Sequence, residues 1–172
     1  MFVEIEDLEE KPLRVRHRFP IREIPFSHGD ARLEAPVDVD FTLFPSDREL
    51  RVAGSISASV KCECSRCSKE FVRVFAEDFN LSYSPQPKWN TGASEVELKY
   101  EEMGIGYYDG VRFDVTALVL ERIELAMPMR HVCRENCKGL CCKCGVDLNE
   151  ETCFCREEPD ERLSTLLKFK KN

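Results

Sequence analysis

Apolar and polar residues alternate through the first half of the chain. Val37, Val39, Phe41 and Leu43, separated by Asp38, Asp40 and Thr42, predict a strand with one buried face. After the turn-forming stretch Pro45-Ser46-Asp47-Arg48 the two-residue period resumes at Leu50, Val52, Ile56, Ala58 and Val60. These two runs predict an antiparallel hairpin, with Gly54 as a bulge. A third run from Phe71 to Tyr83, carrying Val72, Val74 and Phe75, extends the sheet and leaves Cys64-Ser65-Arg66-Cys67 in the turn before it.

From Pro85 to Gly92 the sequence turns to Pro, Asn and Gly around a lone Trp89, which predicts a loop with the tryptophan as its anchor. Glu95 to Met103 is acidic and follows neither period. Gly104, Gly106 and Gly110 flank two tyrosines without a phosphate-loop pattern and read as turns. Asp114 is placed to cap a helix reaching about Met127, where Pro128 stops it. Val115, Ala117, Leu118, Val119, Leu120, Ile123 and Leu125 cover most of its circumference, so the helix is expected to be largely buried against the sheet. Asp160, Leu163, Leu166, Leu167 and the closing Lys168, Lys170 and Lys171 predict a further helix at the C-terminus. The expected architecture is α+β: an antiparallel, partly barrel-like sheet packed on a buried helix over residues 1–130, then a cysteine-rich zinc-binding element and C-terminal helix over 131–172.

Cysteine usage adds chemistry to this outline. No apolar run approaches the roughly 18–20 residues of a spanning helix, and the N-terminus is acidic where a signal peptide is positive. A cytoplasmic location is therefore expected. In that reducing compartment ten cysteines, many at CxxC spacing, point to metal rather than disulfides. Cys141-x2-Cys144-Gly145 suits a zinc knuckle, and Cys153-x-Cys155 can return to supply the other two corners of a tetrahedron. Cys64 with Cys67 and Cys133 with Cys137 are two further halves, which together close a second site tying the hairpin to the segment after the helix. Spacing alone leaves open one or two Zn2+ ions, mixed pairings such as Cys64 and Cys67 with Cys141 and Cys144, a ligand role for His131, and an iron–sulfur cluster. Cys62 shares a strand face with Cys64 and reads as a small core residue; Cys142 has no evident partner.

The formal charge of -7 becomes about -11 with two tetrathiolate zinc sites, which is not the balance of a general nucleic-acid binder. Basic charge is local. Lys11, Arg14, Arg16, Arg18 and Arg22 form a candidate RNA-binding group, and Arg130, Arg134, Lys138 and Lys143 lie among the later cysteines. A solvated face is the plainer reading of both. Closed four-thiolate shells leave no open catalytic position, and only His17, His28 and His131 are available as imidazoles. No carboxylate pairing, small-molecule site or strand-to-helix redox context for Cys64 and Cys67 is evident, so the chain reads as a non-enzyme.

Three segments carry a family resemblance: Cys64-Ser65-Arg66-Cys67 followed by Phe71, the helix end Leu125-Ala126-Met127-Pro128, and the run from Cys133 through Cys137-Lys138-Gly139-Leu140-Cys141-Cys142-Lys143-Cys144-Gly145 to Leu148-Asn149. Together they resemble the bacterial YceD family, named for large ribosomal RNA subunit accumulation. The family motif often has proline after the cysteine of Lys-Gly-Leu-Cys, where this chain has Cys142. The resemblance implies a non-enzymatic factor for accumulation of large-subunit (23S) ribosomal RNA and hence ribosome biogenesis. Its expected partner is that RNA or a large-subunit ribosomal protein. It also implies that Cys64, Cys67, Cys133, Cys137, Cys141, Cys144, Cys153 and Cys155 are the positions of the family's cysteine pattern.

Overall fold

The computed structural model describes residues 1–8, 11–46, 49–86 and 104–155. The alternating runs form the strands β4 (Val37–Pro45), β5 (Leu50–Glu63) and β6 (Glu70–Pro85), joined as antiparallel neighbours. Before them lie β1 (Phe2–Glu4), β2 (Leu13–Phe19) and the two-residue β3 (Arg32–Leu33). After them come β7 (Ile105–Tyr108), β8 (Arg112–Asp114) and the helix α1 (Val115–Ala126). The main sheet runs β2-β4-β5-β6-β7, and β3 pairs with the part of β5 that extends beyond β4. A separate two-stranded sheet joins β1 to β8.

Every other residue of β4 and β5 points to one face, where Val37, Val39, Phe41, Leu43, Leu50, Val52, Ile56 and Val60 are buried. The same core receives Val115, Leu118, Val119 and Ile123 from α1. Asp114 caps this helix as its sequence position foretells: the carboxylate accepts from the N–H groups of Thr116 and Ala117 at 2.9 and 3.2 Å. At the other end Met127 leaves the helical conformation, immediately before Pro128.

Five sequence expectations need correction, one of them the reading of Gly106 as a turn: it lies within β7, paired with Tyr83 of β6. The sheets are open rather than partly barrel-like, because β2 and β7 each keep one edge without a strand partner among the described residues and nothing closes the circle. The main sheet is mixed rather than antiparallel, since β7 runs parallel to the end of β6. The interval between Pro85 and Ile105 has the length that a parallel crossover requires. Gly54 is not a bulge: Phe41, Gly54 and Phe79 stand in unbroken register across three strands. Its smallness serves close approach, because a Cβ there would lie 2.3 Å from the Asp40 carbonyl oxygen and from Phe41 Cα. Finally, α1 is buried on one side only, with Ala117 exposed and Leu125 65% exposed. The expectations for Trp89, Glu95 to Met103 and the C-terminal helix fall outside the described residues.

The architecture puts two chain segments side by side. The turn between β5 and β6 holds Cys64 and Cys67, and the chain leaving α1 passes directly over it, where the Ser65 N–H donates to the His131 carbonyl at 2.7 Å. No helix among the described residues is long and apolar enough to cross a membrane. Replacing Gly54 with valine is expected to destabilise the fold by about 3 kcal/mol, the upper range for overpacking; chemical denaturation of the two proteins measures it.

Candidate metal centres

Two groups of four thiols assemble at this junction and in the tail beyond it. Cys64, Cys67, Cys133 and Cys137 form one; Cys141, Cys144, Cys153 and Cys155 form the other; within each, all four sulfurs lie within 4.8 Å of one another. In the first, Cys64 and Cys137 are 3.9 Å apart and Cys67 and Cys133 are 3.8 Å apart. In the second, Cys153 stands 3.6 Å from Cys144 and 3.3 Å from Cys141. A tetrahedral ion with metal–sulfur bonds of about 2.3 Å has sulfur–sulfur edges of about 3.8 Å, so both groups fit a thiophilic dication such as zinc. Such an ion would cross-link the chain and leave no ligand position for substrate.

The two CxxC turns have the same backbone. Ser68 N–H donates to the Cys64 carbonyl and Gly145 N–H to the Cys141 carbonyl, each at 2.9 Å. Cys64 N–H donates to the Lys69 carbonyl at 2.9 Å, and Cys141 N–H to the Val146 carbonyl at 2.8 Å. The residue after each second cysteine adopts positive φ, 55° at Ser68 and 76° at Gly145. Glycine takes this conformation freely, whereas serine does so at a cost. Ser68 is thus a strained position that sequence reading missed.

Burial separates the two groups. Cys64, Cys67 and Cys137 are buried and pack with Phe71 and Val132, while Cys144 and Cys155 are exposed. N–H groups point at the sulfurs in both: Cys133 N to Cys64 Sγ and Lys143 N to Cys141 Sγ at 3.4 Å, Cys155 N to Cys153 Sγ at 3.3 Å. Burial raises the Cys64 thiol pKa, but hydrogen bonds from the Cys133, Arg66 and Cys67 backbones outweigh it and bring the value to about 6. Cys141 is lowered to about 6, chiefly by the Cys144 and Lys143 backbone N–H groups. Their neighbours resist ionisation next to a thiolate. Cys67 is held up at about 12, where the Lys69 N–H is outweighed by burial and the neighbouring thiols, and Cys155 at about 12 by sulfur contacts with Cys153 and Cys144. In the first group Cys137 is lowered as well, where burial is outweighed by the Asn149 amide and the Gly139 N–H, while Cys133 is raised by burial and its neighbouring thiols; a bound cation would favour the thiolate at all of them.

A shell of polar residues fixes the first group. Asn149 donates to Cys137 Sγ at 3.4 Å while its carbonyl oxygen accepts from Lys138 N at 2.9 Å and Arg134 Nη2 at 2.8 Å. Lys69 pairs with Asp147 at 2.8 Å and with Glu150, bridging the sheet turn to the tail, and holds the Asp147 carboxyl down at about 2. Arg66 donates to the Cys137 carbonyl at 2.8 Å. The Arg66 carbonyl in turn accepts from Leu140 N at 2.9 Å. Gly139 allows that approach: its φ is 78°, and a Cβ would stand 2.8 Å from the Arg66 oxygen. Spacing gave no signal for Lys69, Arg66, Asp147 or Asn149; the last three are visible only as members of the family-like segments.

The remaining candidates lie elsewhere. His131 belongs to neither sulfur group and contributes its backbone carbonyl. Cys62 is buried in β5, where burial raises its pKa, and Cys142 is exposed. All ten cysteines are thiols. No helix follows the Cys64–Cys67 turn, which leads straight into β6. Arg14, Arg16 and Arg18 line one face of β2, remote in sequence from the sulfurs and engaged by aspartates. Arg14 and Arg16 meet Asp40 at 2.9 and 2.6 Å, and Arg18 meets Asp38 at 3.5 Å. Lys11 precedes that strand and Arg22 follows it, both exposed.

Residues 52–170 match the family model described as YceD, large ribosomal RNA subunit accumulation protein YceD. Among curated proteins, the large ribosomal RNA subunit accumulation protein YCED homolog 1, chloroplastic, of Arabidopsis thaliana is 24% identical over 147 residues, covering 73% of this chain and 46% of that protein. Its Zea mays counterpart is 25% identical over 158 residues, covering 79% and 54%. An uncharacterised Mycobacterium bovis protein is 28% identical over 136 residues, covering 78% and 62%. The chain thus spans about half to three-fifths of the length of these relatives. No solved structure matches it.

Elemental analysis of protein purified under reducing conditions is expected to give two zinc ions per chain, falling to one in Cys67→Ser and to one in Cys144→Ser. Backbone strain yields an independent set of outcomes in denaturation of the metal-loaded protein. Ser68→Gly should stabilise by about 1 kcal/mol and Gly145→Ala should destabilise by about as much, whereas Gly139→Ala should cost more because its Cβ also displaces the Arg66 carbonyl.

Proposed function

Because this chain belongs to the YceD family, we propose that it is a non-catalytic cytoplasmic factor on which accumulation of large-subunit (23S) ribosomal RNA, and so ribosome biogenesis, depends. The observation that carries this reading is the extent of the family match: residues 52–170 run from β5 through both sulfur groups. The role named for the family therefore attaches to the unit in which sheet, helix and tail are tied together. Bound Zn2+ would supply rigidity there, holding the tail on the β5–β6 turn as a fixed recognition surface.

The partner is a ribonucleoprotein intermediate containing large-subunit RNA and a basic ribosomal protein. An overall charge of -7 attracts basic protein. The candidate RNA contacts are Lys11, Arg14, Arg16, Arg18 and Arg22. Asp38 and Asp40 already pair with three of these arginines, so phosphate must compete with carboxylates for them. That competition makes this strand a weaker and more salt-sensitive RNA site than its arginine content alone implies.

Removing the gene is expected to lower mature 23S relative to small-subunit RNA, and crosslinking in cells to recover precursor RNA or a large-subunit protein with the chain. Unchanged ribosomal RNA levels, or crosslinks to neither class, would refute the role.

A further inference from the structure

Among the described residues, two long strand edges have no strand partner, that of β2 and that of β6. β5 runs along one side of β6 for its whole paired length, but β7 covers the other side only at Ser82–Pro85. Glu70 to Leu81 therefore present an outer edge with no strand against it among the described residues. Proteins usually blunt such edges with proline, lysine, bulges or concentrated charge. The other long edge follows that rule, since β2 carries Arg14, Arg16 and Arg18. The β6 edge is guarded less: Glu70 to Leu81 contains no proline, glycine or lysine, its charges Glu70, Arg73, Glu77 and Asp78 are of both signs and so can be met by a complementary strand, and Val72 and Val74 are 48% and 69% exposed.

We propose that this edge pairs antiparallel with the β6 edge of a second copy of the chain, about a two-fold axis at Phe75, to make one continuous sheet. Keeping both inner faces on the same side of the joined sheet requires paired residues of equal parity. An axis at Phe75 then sets Arg73 opposite Glu77 of the second copy, twice by symmetry. The same axis sets Phe71 opposite Phe79, Phe75 opposite itself and Val74 opposite Ala76.

The two charges are available for this. Arg73 takes part in no ion pair among the described residues, and Glu77 has only the distant Arg122, at 4.0 Å, while its buried Oε2 has no hydrogen-bond partner. Neighbouring registers are worse. An axis at Val74 would face Glu70 with Asp78, two like charges, and an axis at Ala76 would face Arg73 with Phe79 and Glu77 with Phe75. Aromatic pairs and opposite charges on one face are the pairings that stabilise antiparallel strands, so the sequence of the edge selects its own copy in one register.

Sedimentation of the full chain over a wide concentration range tests this. The unaltered protein should be a dimer at high concentration. Arg73→Glu and Glu77→Arg should each weaken dimerisation about tenfold or more, because every substitution sets like charges face to face at both symmetric positions. An equimolar mixture of the two variants should dimerise again, since in the mixed pair each glutamate meets an arginine, and the double variant R73E/E77R should do the same. Circular dichroism and metal content of each variant report that it has folded. A protein that stays monomeric throughout overturns the proposal. So does a dimer indifferent to both substitutions, or a mixture that fails to re-associate.

Discussion

The meeting of four cysteine sulfurs from two distant segments organises everything on the C-terminal side of the sheet. Cys64 and Cys137 are 73 residues apart in sequence, and 3.9 Å separates their sulfurs. Closing so large a loop is entropically costly. An apolar core of three buried cysteines with Phe71 and Val132 is too small to hold it alone. Charge does part of the remainder through Lys69 with Asp147, and backbone hydrogen bonds do more through Arg66, Leu140 and His131. A dication at the centre would turn these weak ties into a joint.

How far this was readable from sequence depends on the range of the signal. The hairpin of β4 and β5, the β6 strand and the capped helix were legible because each rests on local periodicity and one capping side chain. The pairs of cysteines were legible because CxxC spacing is itself a geometric constraint, whereas which pairs meet was left open by spacing and is given by the fold. What escaped was set by contacts between remote segments. Gly54 looks like a bulge until Phe41 is seen against it, and β7 cannot be called parallel from a four-residue run. The helix reads as largely buried because apolar residues cover most of its circumference, yet the core takes only one side of it and Leu125 remains outside. Asn149, Lys69 and Arg66 have ordinary residue types at ordinary positions; only the folded chain brings them to the sulfurs.

The two sulfur groups share one turn geometry but face different surroundings. Around the first, apolar packing and the Asn149 amide limit access to solvent. Around the second, the sulfurs alternate with exposed residues, and Phe154 between two of them is 91% exposed. An exposed phenylalanine held between two members of a sulfur cluster is fixed in place without being buried, a state that ordinary folding does not favour. The same local chemistry thus yields an internal fastener in one case and a surface feature in the other.

The backbone of the paired turns also decides which residues evolution can place inside them. In the second turn the N–H of Cys142 donates to nothing among the described residues, because the sulfur of Cys141 is served by Lys143 instead. A residue without an N–H, such as the proline expected there from the family resemblance, would therefore be tolerated at this place. At the matching place in the first turn, the Ser65 N–H is spent on the His131 carbonyl. Two turns of identical shape therefore carry different substitution rules: position 142 can give up its backbone donor, and position 65 cannot.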